Sequence, residues 1–269
     1  MILPISRRTH RRRSAAPTLA LLWILLLPAG ALYSQGRQLF GKISFPLGDV
    51  QSRLGADGNW SKVGLNQEMF VGDFLKTAAK SRAEITLRGG GKFRIGENTQ
   101  LELTKARVEG LKKDFGATVT RGQVWVAARA AFGETKNVAV RTPTAVAAIR
   151  GTTYRAVADS AMSSILLYDG EVDVIGASAD QSGQGQQGQG GPGGGFSIGP
   201  PQEVAAPEQV PGPFEVSLDD WIRLVAGMQV NVRADGRYEL FEFDQEADAQ
   251  LPFVRWNVER DSLDAVGQQ

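Results

Sequence analysis

A mainly β fold with a small mixed helix and hairpin region at its C-terminal end is predicted by three observations. Side-chain polarity alternates with a period of two through most of residues 37–175, glycine- and asparagine-rich spacers interrupt it every eight to twelve residues, and the pattern changes after a Gly/Gln tract near residue 190. At least ten short strands in that spacing argue for a sandwich, a barrel or a solenoid-like stack. About 180 residues are ample to bury its core.

The chain opens with Arg7, Arg8, Arg11, Arg12 and Arg13 ahead of an apolar run from Ala15 to Tyr33. A basic segment followed by an apolar one and then Ala29-Gly30-Ala31 has the form of an export signal, with small residues suited to cleavage after Ala31. Residues 1–31 are therefore expected to be a signal peptide. The alternative is a membrane anchor through residues 15–33, since that run as a helix spans about 28 Å. Either reading places the rest of the chain in a bacterial periplasm, on the outer face of the cytoplasmic membrane, or outside the cell. No cysteine is present, so disulfides and thiol chemistry are excluded.

The strands follow in order. LFGKISF at Leu39–Phe45, AEITL at Ala83–Leu87, KFRI at Lys92–Ile95, QLEL at Gln100–Leu103 and QVWVAA at Gln123–Ala128 alternate or carry β-branched and aromatic side chains. The spacers at 56–59, 88–91 and 95–98 supply the backbone angles of sharp turns. In TPTAVAAIRGTTYRAV, Pro143 and Gly151 limit the element between them, which favours a strand and tight turn over a helix. Gly151 is expected to be structural, with Thr152 and Tyr154 entering the next strand and Tyr154 in the core. In YDGEVDV, Gly170 marks a turn that reverses the chain.

From Gln181 to Gly195, eight glycines and five glutamines fill fifteen positions, and prolines follow. Such a segment has little to bury, so residues 176–213 are expected to form a connector. Beyond it, residues 214–269 carry 5 basic against 12 acidic side chains. Ser217-Leu218-Asp219-Asp220 reads as an N-cap with an acidic first turn, and Trp221, Leu224, Val225 and Met228 recur at helical spacing. An amphipathic helix of about three turns is expected there, then a hairpin around Ala234-Asp235-Gly236. Trp221, Phe241 and Phe243 are candidate anchors for a protein partner, because a large aromatic in an interface can dominate its affinity.

Without residues 1–31 the balance is 25 basic against 29 acidic side chains, with no basic concentration, which excludes a nucleic-acid partner. The one histidine, His10, lies in the targeting segment, leaving the remainder without a histidine base or a His/Cys metal site. No catalytic residue, cofactor or metal is implied. Asp169 and Glu171 could be paired for glycoside chemistry, but flanking Gly170 they read more simply as a solvated turn. RGGGK at 88–92 lacks the Ser or Thr and the strand–loop–helix setting of a phosphate loop.

Several pieces together resemble FecR-like domains. Trp60 and VGLNQEMFVGDFLKT, with Gly72 and Asp73, resemble the opening of that family's pattern; RGQVWV, RTPTAVAAIRGTTYRAV and LLYDGEVDV, with Pro143, Gly151, Thr152, Tyr154 and Gly170, resemble its closing core. The resemblance covers about half of the chain. It implies a β-solenoid-like or sandwich-like module, and, in the family's iron-transport regulators, a part in signalling from an outer-membrane receptor to a cytoplasmic sigma factor. Only fourteen residues precede the apolar run here, too few to fold around a sigma factor. The resemblance therefore implies a noncatalytic envelope-side module that binds or scaffolds an envelope protein. Binding of cell-wall glycan, an anchored regulator and a carbohydrate-active enzyme are its alternatives.

Overall fold

The computed structural model describes residues 36–177, 216–217 and 222–266. The expected signal peptide, most of the expected connector, and Trp221 lie outside the described residues. The first strands are β1 (Leu39–Leu47), β2 (Val50–Leu54), β3 (Ser61–Lys62), β4 (Glu68–Phe70), β5 (Asp73–Thr77) and β6 (Arg82–Leu87). They are followed by β7 (Lys92–Ile95), β8 (Gln100–Glu109), β9 (Lys112–Ala127), β10 (Thr135–Arg141), β11 (Ala145–Arg150) and β12 (Thr153–Ala158). The last are β13 (Met162–Asp169), β14 (Glu171–Gly176), β15 (Val216–Ser217), β16 (Ile222–Val225), β17 (Met228–Arg233) and β18 (Arg237–Glu242), before helices α1 (Gln245–Ala249) and α2 (Pro252–Val266). Strand makes up 58% and helix 11% of the described residues, so the fold is mainly β with a small C-terminal helical part, as the alternation predicts.

The strands form two sheets that share β9. Sheet A runs β4-β1-β6-β7-β9-β12-β13-β17-β18-β15, and sheet B runs β3-β2-β5-β8-β9-β10-β11-β14-β16. Successive passes of the chain alternate between the sheets, so both advance mostly in chain order. The switch inside β9 falls at Gly122. Up to Arg121 the strand pairs with β8 in sheet B, and from Gly122 it pairs with β12 in sheet A. Gly122 has φ +93°, and a Cβ on it would lie 2.5 Å from the Thr99 Cα, so only glycine fits this bend. Having crossed sheet A, the chain re-enters sheet B at β10 parallel to the first half of β9, the sense that such a crossover dictates.

One core lies between the sheets. Phe40 from β1 meets Phe93 from β7 edge-on at 5.9 Å, and Phe115 from the sheet B half of β9 at 5.4 Å. The period of two is visible in β9, where Val124 and Val126 enter this core while Trp125 faces outward.

Two expectations are corrected. Residues 222–225 are a strand, not part of a helix: Ile222 and Leu224 alternate with exposed neighbours, Leu224 is fully buried, and β16 pairs antiparallel with the open side of β14. The helical spacing of Leu224, Val225 and Met228 was coincidental, because Gly227 at φ +89° separates β16 from β17. The hairpin at Ala234–Gly236 is present as β17–β18. The second correction concerns Gly170, which does not close a hairpin; β13 lies in sheet A and β14 in sheet B, so the turn carries the chain around the corner between sheets.

Candidate interaction face

The outer face of sheet A carries a continuous row of side chains that the strand register brings together. Phe45 on β1 stands opposite Glu84 on β6, Glu84 opposite Arg94 on β7, Arg94 opposite Trp125 on β9, and Trp125 opposite Arg155 on β12. The row continues through Leu166 on β13 and Gln229 on β17 to Phe241 on β18. Directly opposed residues project to one face of a sheet, so all eight share it.

Outward-facing charges usually meet water, yet Glu84 and Arg94 are 0% exposed and Arg155 is 6% exposed. Their cover is the helix pair. Asp244 caps α1 by accepting from Glu246 N and Ala247 N, each at 3.0 Å, and Pro252 occupies the first position of α2, where its missing N–H costs nothing. Phe253 and Val254 at the start of α2 pack on Trp125, with Tyr168 and Trp256 at the margin.

Polar contacts complete the seat. Arg94 Nε donates to Glu84 Oε2 at 2.6 Å, its Nη2 reaches Asp264 Oδ2 at 2.9 Å, and its Nη1 pairs with Asp261. Trp125 Nε1 donates to the other Asp261 oxygen at 3.0 Å. Glu84 also accepts from Ser44 Oγ at 2.7 Å, Lys92 Nζ at 3.2 Å and Arg260 Nε at 2.9 Å. Burial by itself would raise the Glu84 pKa, but hydrogen bonds from Arg260, Arg94 and Ser44, with the Arg94 charge, hold it well below the usual carboxylate range. Under α1, Arg155 pairs with Asp248, and the Tyr168 hydroxyl donates to Asp248 Oδ2 at 2.6 Å while accepting from Arg155 Nε at 3.1 Å. Burial pushes the Tyr168 phenol far up, so it remains a donor.

A cleft of about 820 Å³ opens along the C-terminal half of α2, between Asp261 and Asp264 on one side and Lys92, Arg129 and the glycine turn 89–91 on the other. At its base Glu134 is shared by Lys113 at 2.5 Å and Lys136 at 3.6 Å. The hydrogen bond from Lys113 lowers the Glu134 pKa, and burial lowers that of Lys136.

The predicted site residues divide between this face and the scaffold. Phe241 ends the row and is 39% exposed; Phe243 is half-buried and meets the Tyr168 ring at 5.4 Å. Trp60 lies elsewhere, with the Arg53 guanidinium 4.7 Å and Lys76 Nζ 4.4 Å from its ring centre. Asp73, next to Gly72 at φ +87°, accepts from Phe70 N at 2.8 Å and pairs with Arg37, holding the turn into β5. Pro143 is exposed in the β10–β11 turn, Gly151 has φ +67° at the corner into β12, and Thr152 and Tyr154 are buried. Asp169 and Glu171 are exposed and face different cations, Arg129 at 3.2 Å and Arg223 at 3.8 Å, as befits a solvated corner. Glu84, Arg94, Trp125 and Arg155 escaped the sequence reading because an outward charge on a strand is ordinary. Only register aligns them.

Residues 73–173, from β5 to β14, match the family model described as FecR protein. That segment, 101 of the 269 residues, is similar to the FecR domain. Glu84, Arg94, Trp125 and Arg155 lie within the match, whereas α1 and α2 lie beyond it. Among solved structures the chain is similar to two crystal structures of a candidate anti-sigma factor from Parabacteroides distasonis ATCC 8503, at 1.65 and 2.50 Å resolution. Each is 14% identical with a TM-score of 0.43, and the alignments cover 66% of this chain and 64% and 63% of theirs. The chain thus spans less than two thirds of their length. No curated protein matches.

Proposed function

We propose that this FecR-like protein is a noncatalytic, envelope-side module that binds or scaffolds another envelope protein, using the outer face of sheet A. The observation that carries this reading is the row from Phe45 to Phe241, fixed charges and aromatics set on eight strands and ending at an exposed phenylalanine. Rigid strands place these groups accurately, and aromatic and arginine side chains are the groups that dominate protein interfaces. The FecR match supports a signalling or scaffold role, and the basic and apolar start of the sequence supports export to the periplasm. Trp221 remains a candidate anchor for the partner, whereas Phe243 acts by positioning Tyr168.

The test is recovery of native complexes from the envelope fraction through a C-terminal tag, with the mass of the mature chain and the co-purifying proteins and glycans identified. A stoichiometric protein partner reduced at least tenfold by Phe241→Ala, with the melting temperature unchanged, is the expected result. Enrichment of glycan alone would replace the protein-binding reading.

A further inference from the structure

The helix that covers the row holds it in an unusual way. A permanent cover gains most from apolar contact, and a buried ion pair replaced by well-packed apolar side chains is commonly as stable or more so. Here the apolar contacts of α2 are concentrated at Phe253, Val254 and Trp256, while its C-terminal half is held through Arg260, Asp261 and Asp264. Asp264 lies in the last turn of the helix, where the backbone dipole disfavours negative charge, and Asp261 lies one turn before it, so their placement answers to Arg94 and Trp125 rather than to the helix itself. The face beneath combines the charged Glu84, Arg94 and Arg155 with the Trp125 ring. Along the same half of α2 the 820 Å³ cleft leaves room beside the occupant.

We propose that the outer face of sheet A is an acceptor for an acidic helix of a partner protein, and that α2 is its resident competitor, displaced when that helix docks. The proposal rests on the protein-binding reading above and adds the partner's chemistry and the regulation of its access. The occupant's own pattern defines what fits: two aromatics three residues apart, as Phe253 and Trp256, and two aspartates eight residues after them, as Asp261 and Asp264. The aromatics fill the space between Trp125 and Phe45, and the carboxylates meet Arg94 and the Trp125 indole.

The probe is a fluorescent peptide of residues 244–266, added to the full-length chain and to its Asp261→Asn/Asp264→Asn variant, with hydrogen exchange followed in both. The peptide is expected to bind the variant at least tenfold more tightly than the parent, because the resident helix is loosened there, and to weaken as salt rises. A peptide with both aspartates replaced by asparagine is expected to lose binding. Exchange at residues 252–266 should speed up on binding, with the strands unchanged. Absence of binding to a variant whose strands remain protected would overturn the proposal, as would binding indifferent to the peptide carboxylates. A dimer of the variant that trades α2 between copies would instead make a second copy the occupant. Should the variant fail to fold, hydrogen exchange on the parent decides: α2 is expected to open well before the strands, and opening only with global unfolding would refute displacement. An envelope partner recovered through Phe241 without an acidic helix would sink this inference alone and leave the binding reading in place.

Discussion

Trp125 Nε1 lies 3.0 Å from a carboxylate oxygen of Asp261, a residue 136 positions later in the chain. The same aspartate pairs with Arg94, which is also bonded to Glu84. One carboxylate on α2 therefore ties together β7 and β9, and through Arg94 reaches β6. The covering helix is fixed to the middle of sheet A by a small set of strong, directional contacts.

Replacing Asp261 with asparagine should show how local that attachment is. The change removes a charge from two hydrogen-bonded partners, and hydrogen bonds to charged groups contribute about 2 kcal/mol each. We expect hydrogen exchange in residues 252–266 to accelerate about tenfold or more while protection of β7, β9 and β12 is retained. Uniform acceleration across the strands would mean that α2 and the sheet unfold as one unit.

Glu84 should give the protein an acid-sensitive component of stability. Its folded pKa lies below its ordinary value of about 4.5, despite the opposing effect of burial, because Arg260, Arg94 and Ser44 bond the ionised form. A depressed carboxylate stabilises the fold above its unfolded pKa, and that stabilisation is lost as pH falls from about 4.5 toward the folded value. Glu84→Gln is expected to cost about 3 kcal/mol at neutral pH, since it takes the buried carboxylate away from Arg94 and Arg260 together. Below pH 4.5 the difference from the parent should shrink. Urea melts of both proteins between pH 3 and pH 7 measure it, and curves that stay parallel throughout would dissociate Glu84 from the acid response.

The β elements were legible because each buries one side chain in two against a shared core, a signal contained within a few neighbouring residues. KFRI at Lys92–Ile95 becomes β7 without adjustment. The cover was not legible. PFVRWNVERDSLDAV has only a few apolar residues near its start, and the groups that make it bind, Arg94 and Glu84, lie more than 160 residues upstream. Conversely, residues 221–228 showed helical spacing, but Leu224 gains more by completing the edge of sheet B through β16. Local pattern loses wherever the decisive partner is distant and charged, or is the backbone of a strand edge.

The corner glycines should differ in sensitivity, although both belong to the family-like core. Gly170 has φ +84°, and a Cβ there would lie 2.3 Å from Thr152 Cγ2, on a buried β-branched side chain with little freedom to move. Gly151 has φ +67° but would meet Ala130 only at an ordinary 3.4 Å. Gly170→Ala is expected to cost about 3 kcal/mol, roughly 6 to 12 °C in Tm, and Gly151→Ala about 1 kcal/mol. Gly151→Val should fall further, since a branched side chain tolerates positive φ poorly. Thermal melts giving the reverse order for the two alanine variants would show that contact at the corner matters less than backbone conformation.

Tyr154 offers a test in which removing a polar group should help. Its ring is fully buried between the sheets, and its hydroxyl has no hydrogen-bond partner among the described residues. Burial raises its pKa well above the ordinary tyrosine value, so the group remains a neutral phenol, held away from bulk water with no protein partner among the described residues. Tyr154→Phe preserves the ring and its packing and deletes only that unsatisfied oxygen, so Tm should stay level or rise by about 2 to 4 °C, equivalent to roughly 1 kcal/mol. A fall of that size would instead show that the hydroxyl is bonded within the core, with an internal water between the sheets as its partner.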